Sequence, residues 1–204
     1  MRACARSTVS SSTSEPPDSS LRDRLIYLVE GDSYRMRCLR AVQVLPERGA
    51  WIAAGFIRSL VWDVLSGTQT ELNDVHVIWF DETSDPQRDR VLESMLGSVM
   101  GAVPWSVENQ AHLHLGHGDA PYRSVQHALK HSPETATAVA VRLDDVGKVD
   151  LLAPFGLGDL FDRRVRPTPH MQSRPDRRGA FAGRCLSQRW EKRWPGVVVE
   201  HLPL

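Results

Sequence analysis

Within LNDVHVIWFD, residues 72 to 81, an acid and an imidazole stand two positions apart at Asp74 and His76. On a strand such a pair projects from one face, about 6 to 7 Å apart along the backbone, close enough to share a cation. Upstream, Gly55 stands where a short apolar run turns into a helix, and Arg58 follows one turn later. A helix start offers unpaired N–H groups and a positive dipole end, which suit a phosphate, and the arginine adds charge. Phosphoryl and nucleotidyl transfer need a phosphate cradle facing a metal-binding acid. The cation bridges phosphate oxygens, lowers the pKa of the attacking hydroxyl and stabilises the leaving pyrophosphate.

The elements that must position these groups are legible in outline. Trp51 to Ala54 reads as a short strand, and Ile57, Leu60, Val61, Val64 and Leu65 recur at helical spacing up to a stop at Gly67. VHVIWF is apolar on both alternating faces apart from His76 and reads as an interior strand. Two helices precede this frame, LRDRLIYLVEGD and SYRMRCLRAVQVL, with Asp32 or Ser33 as the second cap. Another opens at Asp85 and Pro86, with Val91, Leu92, Met95, Leu96 and Val99 along one side. PWSVENQAHLHLGHGDAPY reads as a helical part and a glycine loop, and SVQHALKHS as a short capped helix. TATAVAVRL, the turn DDVGK and VDLLA predict a hairpin, and a helix is expected from about Gly179 to Trp194, stopped by Pro195. One hairpin among irregularly alternating helices and strands implies an α+β fold, a mixed sheet covered by helices.

Composition bounds the rest. The 204 residues, 41% of them hydrophobic, suit one domain over 21–204, after a Ser-, Thr- and Pro-rich tail over 1–20 that is expected to be disordered. Basic and acidic side chains balance at 25 each, so bulk charge argues neither for nor against nucleic acid. Locally, residues 163 to 194 hold ten Lys or Arg against two acids, a net +8 that could steer RNA or a triphosphate. The same segment is amphipathic through Phe181, Cys185, Leu186 and Trp190, which favours sheet covering over nucleic acid. Three scattered cysteines, Cys4, Cys38 and Cys185, fit a reducing compartment, and with no apolar run near the ~20 residues of a membrane span the chain is expected to be cytoplasmic.

The order AAGFIRSLVWDVLSG, a loop, then NDVHVIWFD resembles the opening of a bacterial family of small nucleotidyltransferases in the DNA polymerase beta superfamily, distantly like tRNA nucleotidyltransferase heads. PWSVENQAHLH, GDAPYRS, PETATAVAVRL, APFGLGDLF and VRPTP are similar to further blocks of that family, from about residue 24 to the C-terminal helix. The resemblance implies a nucleotidyltransferase-like fold and metal-dependent transfer of a nucleoside monophosphate from an NTP to an acceptor hydroxyl of unknown identity. It makes Asp74 and His76 the metal and catalytic positions, with Mg²⁺ or Mn²⁺ as the cofactor. Gly55 and Arg58, with Asn109 and Gln110, become the nucleotide-binding positions. The superfamily carries a second acid where this chain has His76. Mg²⁺ prefers oxygen ligands, whereas imidazole suits Zn, Mn, Ni or Co.

That departure leaves open an alternative, a catalytically impaired nucleotide-binding or partner-binding module. Other readings stand beside the site assignments. Asp74 could cap the strand, His76 could be a satisfied core side chain, Gly55 could serve helix packing, and Arg58 could pair with Asp63. Asn109 and Gln110 could be buried amides that tie helix to sheet. Asp150 is a candidate third carboxylate. His112, His114 and His117 lack the spacing and cysteine company of a zinc site, which is not expected there.

Overall fold

The computed structural model describes residues 18–202. In chain order the elements are α1 (Asp18–Gly31), α2 (Ser33–Gln43), β1 (Trp51–Ala53), α3 (Gly55–Ser66), β2 (Val75–Trp79), α4 (Arg88–Val99), β3 (Trp105–Asn109), α5 (Leu113–His117) and α6 (Val125–Leu129). A single 3-10 turn at Thr135–Thr137 leads into β4 (Ala140–Leu143) and β5 (Val149–Leu152). Then follow α7 (Gly158–Phe161), β6 (Arg164–Val165), α8 (Pro169–Gln172), α9 (Pro175–Gln188), α10 (Trp190–Arg193) and β7 (Val198–Val199). Helix α1 begins three residues inside the segment expected as tail, and residues 1–17 of that expectation lie outside the described residues. No helix among the described residues is long and apolar enough to cross a membrane.

Five strands form one mixed sheet in the order β3-β2-β1-β4-β5. Only β2 and β3 run parallel; β1 is antiparallel to β2 and to β4, and β4 and β5 make the expected hairpin. Alternation divides the sheet into two unequal faces. Ile52, Val75, Val77, Val107 and Val141 point into the main core with Leu25, Leu39, Ile57, Trp62, Leu92 and Phe181. At ~1.5–3 kcal/mol for each large apolar side chain removed from water, this side holds the fold together. Trp51, Ala53, Ile78 and Ala140 point the other way, under Val125 and Leu129 of α6. His76 shares that second, partly open face with Ile78, because positions two apart on a strand agree in direction.

Local signals explain most element ends. The Asp32 carboxylate caps α2, accepting from the N–H groups of Tyr34 and Arg35 at 3.0 Å. Gly67 ends α3 in the left-handed conformation that glycine adopts without strain. Along α4 only Leu92 and Leu96 are buried, while Val91, Met95 and Val99 form an exposed row, so the apolar side read from sequence is wider than the buried one.

Within PWSVENQAHLHLGHGDAPY the expected helical part is α5, closed by Gly118 in the left-handed conformation, but its first residues form a strand that was not expected, β3, hydrogen-bonded parallel to β2 and burying Trp105, Val107 and Asn109 in alternation. One expectation fails on backbone grounds. The C-terminal helix is not continuous to Trp194, because Arg189 adopts φ 49° and ψ 45° and separates α9 from α10.

Candidate active site

Strand β1 and helix α3 meet without a loop, and the turn is made by Ala54 at φ 54° and ψ −113°, a region costly for a side chain with a Cβ. The Ala54 N–H is tied to the carbonyl of Val139 at 2.9 Å, and its own carbonyl accepts from Ile57 and Arg58. The surrounding sheet therefore enforces the turn. It leaves the N–H groups of Gly55 and Phe56 at the open end of a 12-residue helix, facing outward with the positive end of the dipole. A Cβ at Gly55 would lie 3.6 Å from the Arg58 guanidinium, an ordinary van der Waals contact, so the guanidinium packs directly beside the first residue of the helix.

Arg58 folds back over this helix start. It is 8% exposed, and among the described residues it forms no ion pair and its Nε has no hydrogen-bond partner. Its guanidinium lies 5.5 Å from the Trp62 ring and 5.1 Å from that of Trp194, a position stabilised by cation–π attraction. Burial pushes its pKa down to about 10, with Arg184 and Arg193 adding repulsion, while Glu134 and Asp74 partly offset the fall. Asp63, the alternative partner expected from sequence, is taken elsewhere. It accepts from Thr68, from Thr70 and, at 2.6 Å, from the Trp194 indole, which pins the loop between α3 and β2 to the C-terminal arm.

A cavity of about 220 Å³ lies against this helix end. Gly55, Arg58, Asp74 and His76, predicted separately from sequence, all line it. The opposite wall comes from α9 and α10 through Arg184, Gln188 and Arg193. Arg184 is held there by an ion pair with Glu134, a carboxylate with no exposed surface that also accepts from the Thr137 hydroxyl at 2.6 Å. Asp74 is exposed at the entry to β2 and accepts no hydrogen bond among the described residues, so it is not capping the strand.

His76 is half-buried and therefore not a core histidine. Its Nε2 donates to the Glu108 carboxylate at 3.2 Å, which fixes the tautomer and leaves Nδ1 with a free lone pair. That hydrogen bond holds the Glu108 pKa below the usual carboxylate range, against the upward push of burial. Glu108 lies on β3 opposite Ile78, on the face that carries His76, and sequence reasoning missed it together with its strand. The alternation of Trp105, Val107 and Asn109 against Ser106 and Glu108 was the available signal.

The other candidates fall away from the cleft. Asn109 is buried with its amide fully used: Nδ2 donates to the Asp81 carbonyl at 2.7 Å, and Oδ1 accepts from Asp81 and Ala111 N–H groups at 3.1 Å. It ties the end of β2 to the end of β3. Gln110 lines a neighbouring cavity, where its amide donates to Glu108. Asp150 sits on β5, at the far edge of the sheet from β2, and is paired with Arg22 and Arg142. His114 and His117 are committed to the Ala111 carbonyl and the Tyr122 hydroxyl. Asp119, His131 and His170 do converge, their ligand atoms within 4.8 Å of one another. Asp119 is already neutralised by Arg177 and hydrogen-bonded by Tyr122, and Arg177 also reaches His170 Nδ1 at 3.2 Å, which disfavours a cation there.

Such a strand–turn–helix frame at the centre of a mixed sheet, with a cationic cleft at the helix start, defines a nucleotidyltransferase-type fold. The chain belongs to that family: residues 40–199 match the sequence profile described as Nucleotidyltransferase. No curated protein matches it in sequence. Among solved structures it is similar to one described as an NMR structure that reveals a CCA-adding enzyme head domain, at 27% identity and TM-score 0.79, covering 88% of this chain and 96% of that one. Two others are the CCA-adding enzyme of Bacillus stearothermophilus in complex with CTP and a tRNA-processing enzyme in an apo form, at 19% and 18% identity and TM-scores of 0.49 and 0.45. The matches span 83% and 84% of this chain but only 41% and 43% of those chains.

Proposed function

We propose that the cleft binds a nucleoside triphosphate with a divalent cation and transfers the nucleoside monophosphate to an acceptor hydroxyl. The observation that carries this reading is Arg58, a buried guanidinium with no ion-pair partner among the described residues and an unpartnered Nε, at the open end of α3. A fold tolerates such a group where a ligand supplies the missing charge, and a triphosphate does so while also accepting from the first-turn N–H groups. Arg193 would neutralise further phosphate oxygens from the other wall.

The donors present fit a divalent cation. Asp74 is an uncommitted carboxylate, and His76 gives its Nε2 proton to Glu108 and keeps Nδ1 free, the arrangement of metal-binding histidines whose second nitrogen is held by a carboxylate. An oxygen and a nitrogen together favour Mn²⁺ or a later transition metal over Mg²⁺. When bound, the cation would supply charge neutralisation at the reacting phosphate. Asp74 and His76 orient it, Glu108 fixes His76, and Arg58 holds the departing pyrophosphate. Buried thiols at Cys38 and Cys185 support a reducing, cytoplasmic setting.

The test is release of pyrophosphate from ATP, GTP, CTP and UTP with Mg²⁺ and with Mn²⁺, in the native chain and in His76→Asp. Turnover that favours Mn²⁺ in the native chain and shifts toward Mg²⁺ in His76→Asp is the expected result. A second reading, a nucleotide binder without turnover, is favoured by the imidazole at position 76. It predicts tight nucleotide binding with no pyrophosphate from any pair. Absence of binding in both chains would remove both readings.

Nucleic acid is a weaker partner for the basic C-terminal third than its charge suggests. Five of its arginines, at 164, 166, 174, 177 and 184, are already paired with carboxylates. A polyanion would have to displace those contacts.

A further inference from the structure

A second cavity, of about 250 Å³, adjoins the first across His76. The two share Ala54, His76 and Arg184, whereas Asp74 and Arg58 line the first alone and Glu108 the second alone. We propose that this second cavity is the acceptor subsite and that it takes a neutral, ring-bearing small alcohol; this rests on the assignment of the first cavity to the triphosphate.

The position follows from the geometry of displacement at phosphorus, where attacking and leaving oxygens lie roughly in line on opposite sides. With pyrophosphate held at the α3 start by Arg58, the hydroxyl must approach from beyond His76, where the second cavity opens. The acceptor oxygen forms a bond to the α-phosphorus, and the bond from that phosphorus to the bridging oxygen breaks. Pyrophosphate leaves with that electron pair, and the hydroxyl proton is released to solvent.

The chemical class follows from the walls. Ligand pockets that enclose a whole drug-sized molecule run from about 300 to 1,000 Å³, so this one holds a single ring system with short substituents. Tyr122 and His131 stack with centroids 4.5 Å apart and planes tilted by 30°, and with Leu113 and Pro133 they make an apolar and aromatic side against which a ring can lie. The polar groups suit hydroxyls. Tyr122 donates its proton to Asp119, so His117 Nδ1 donates to the Tyr122 oxygen and its Nε2 is free to accept. Among the described residues the Gln110 side chain hydrogen-bonds only through its nitrogen, which leaves its carbonyl oxygen available as well. Anionic acceptors are disfavoured, because Glu108 is negative and the one arginine in the wall, Arg184, is occupied by Glu134. A polynucleotide would need a basic groove that tracks its backbone, and the arginine lining this cavity is already paired with Glu134.

The experiment is ligand-observed saturation-transfer NMR on the full chain with three probes, adenosine, glucose and a short RNA oligonucleotide, each with and without saturating ATP and Mn²⁺. Leu113→Trp fills the cavity, and Ser132→Trp does so from another side should the first variant fold poorly. Adenosine or glucose is expected to bind, to keep its signal in the presence of ATP, and to lose roughly tenfold in affinity in the filled variant while ATP affinity stays within about twofold. Competition between the small probe and ATP would assign the cavity to the nucleotide base and overturn the proposal. Binding of the RNA alone, or of no probe at all, would overturn it too. If the small probe binds but ATP does not, the triphosphate reading fails by itself and the acceptor role falls with it.

Discussion

Replacing Arg58 by Met separates the two consequences of a buried cation kept for a ligand. The fall of its pKa from the ordinary arginine value to about 10, at ~1.36 kcal/mol per pH unit, corresponds to a burial cost of about 3 kcal/mol in the free protein. Because the folded-state pKa lies below the unfolded one, this cost is fully present at every pH below about 10 and is relieved only above it. Methionine retains a flexible apolar stem but forfeits attraction to the Trp62 and Trp194 rings, at ~0.5–1 kcal/mol each. The net expectation is a gain of about 1–2 kcal/mol, a rise in Tm of roughly 3–6 °C for a chain of this size. The native protein at an ATP concentration near 100 times Kd should gain about 2.7 kcal/mol, and the variant almost nothing. Thermal unfolding at pH 7 with and without ATP and Mn²⁺ measures both effects. A variant that melts lower than the native chain yet keeps the full ATP-induced rise would refute the reasoning.

Other positions give independent checks. Ala54→Gly should stabilise by about 1 kcal/mol, since relief of ~1–3 kcal/mol of strain at φ 54° exceeds the flexibility that glycine adds, and a higher urea midpoint reads it out. Asn109→Ala should cost about 2–4 kcal/mol through three lost hydrogen bonds at the β2 and β3 ends while leaving ATP affinity unchanged; a selective loss of affinity would instead make it a nucleotide contact. Burial holds the His170 imidazole below its usual 6.5, against the pull of Asp119, so the folded state resists a proton that the unfolded state accepts. Stability should therefore decline as the pH falls below about 6.5, and urea midpoints between about pH 7.5 and 5 should slope less in His170→Gln.

What the sequence revealed divides along sequence distance. Gly55, Arg58, Asp74 and His76 were legible because one helix period and one strand alternation fix their directions, and a single crossing connects them. Strand β3 was hidden because its third inward position is Asn109, whose polarity interrupts the apolar alternation and whose burial depends on Asp81 and Ala111 supplying partners. With the strand went Glu108, the group that orients His76. Arg184, Gln188 and Arg193 reach the cleft from more than a hundred residues away, and the same arginines read in isolation look like a solvated helix face. The break at Arg189 carries no glycine to announce it; packing of Trp190 and Trp194, both fully buried, goes with that turn.

The most direct test of the account is electron paramagnetic resonance of Mn²⁺ titrated into the native chain and into Asp74→Asn, with and without ATP. The expected result is bound Mn²⁺ that tightens when ATP is present in the native chain, and a loss of roughly tenfold or more in Asp74→Asn while metal-free ATP still binds. Equal Mn²⁺ binding in the two proteins, or no effect of ATP on either, would contradict a cation held by Asp74 beside the α3 phosphate site.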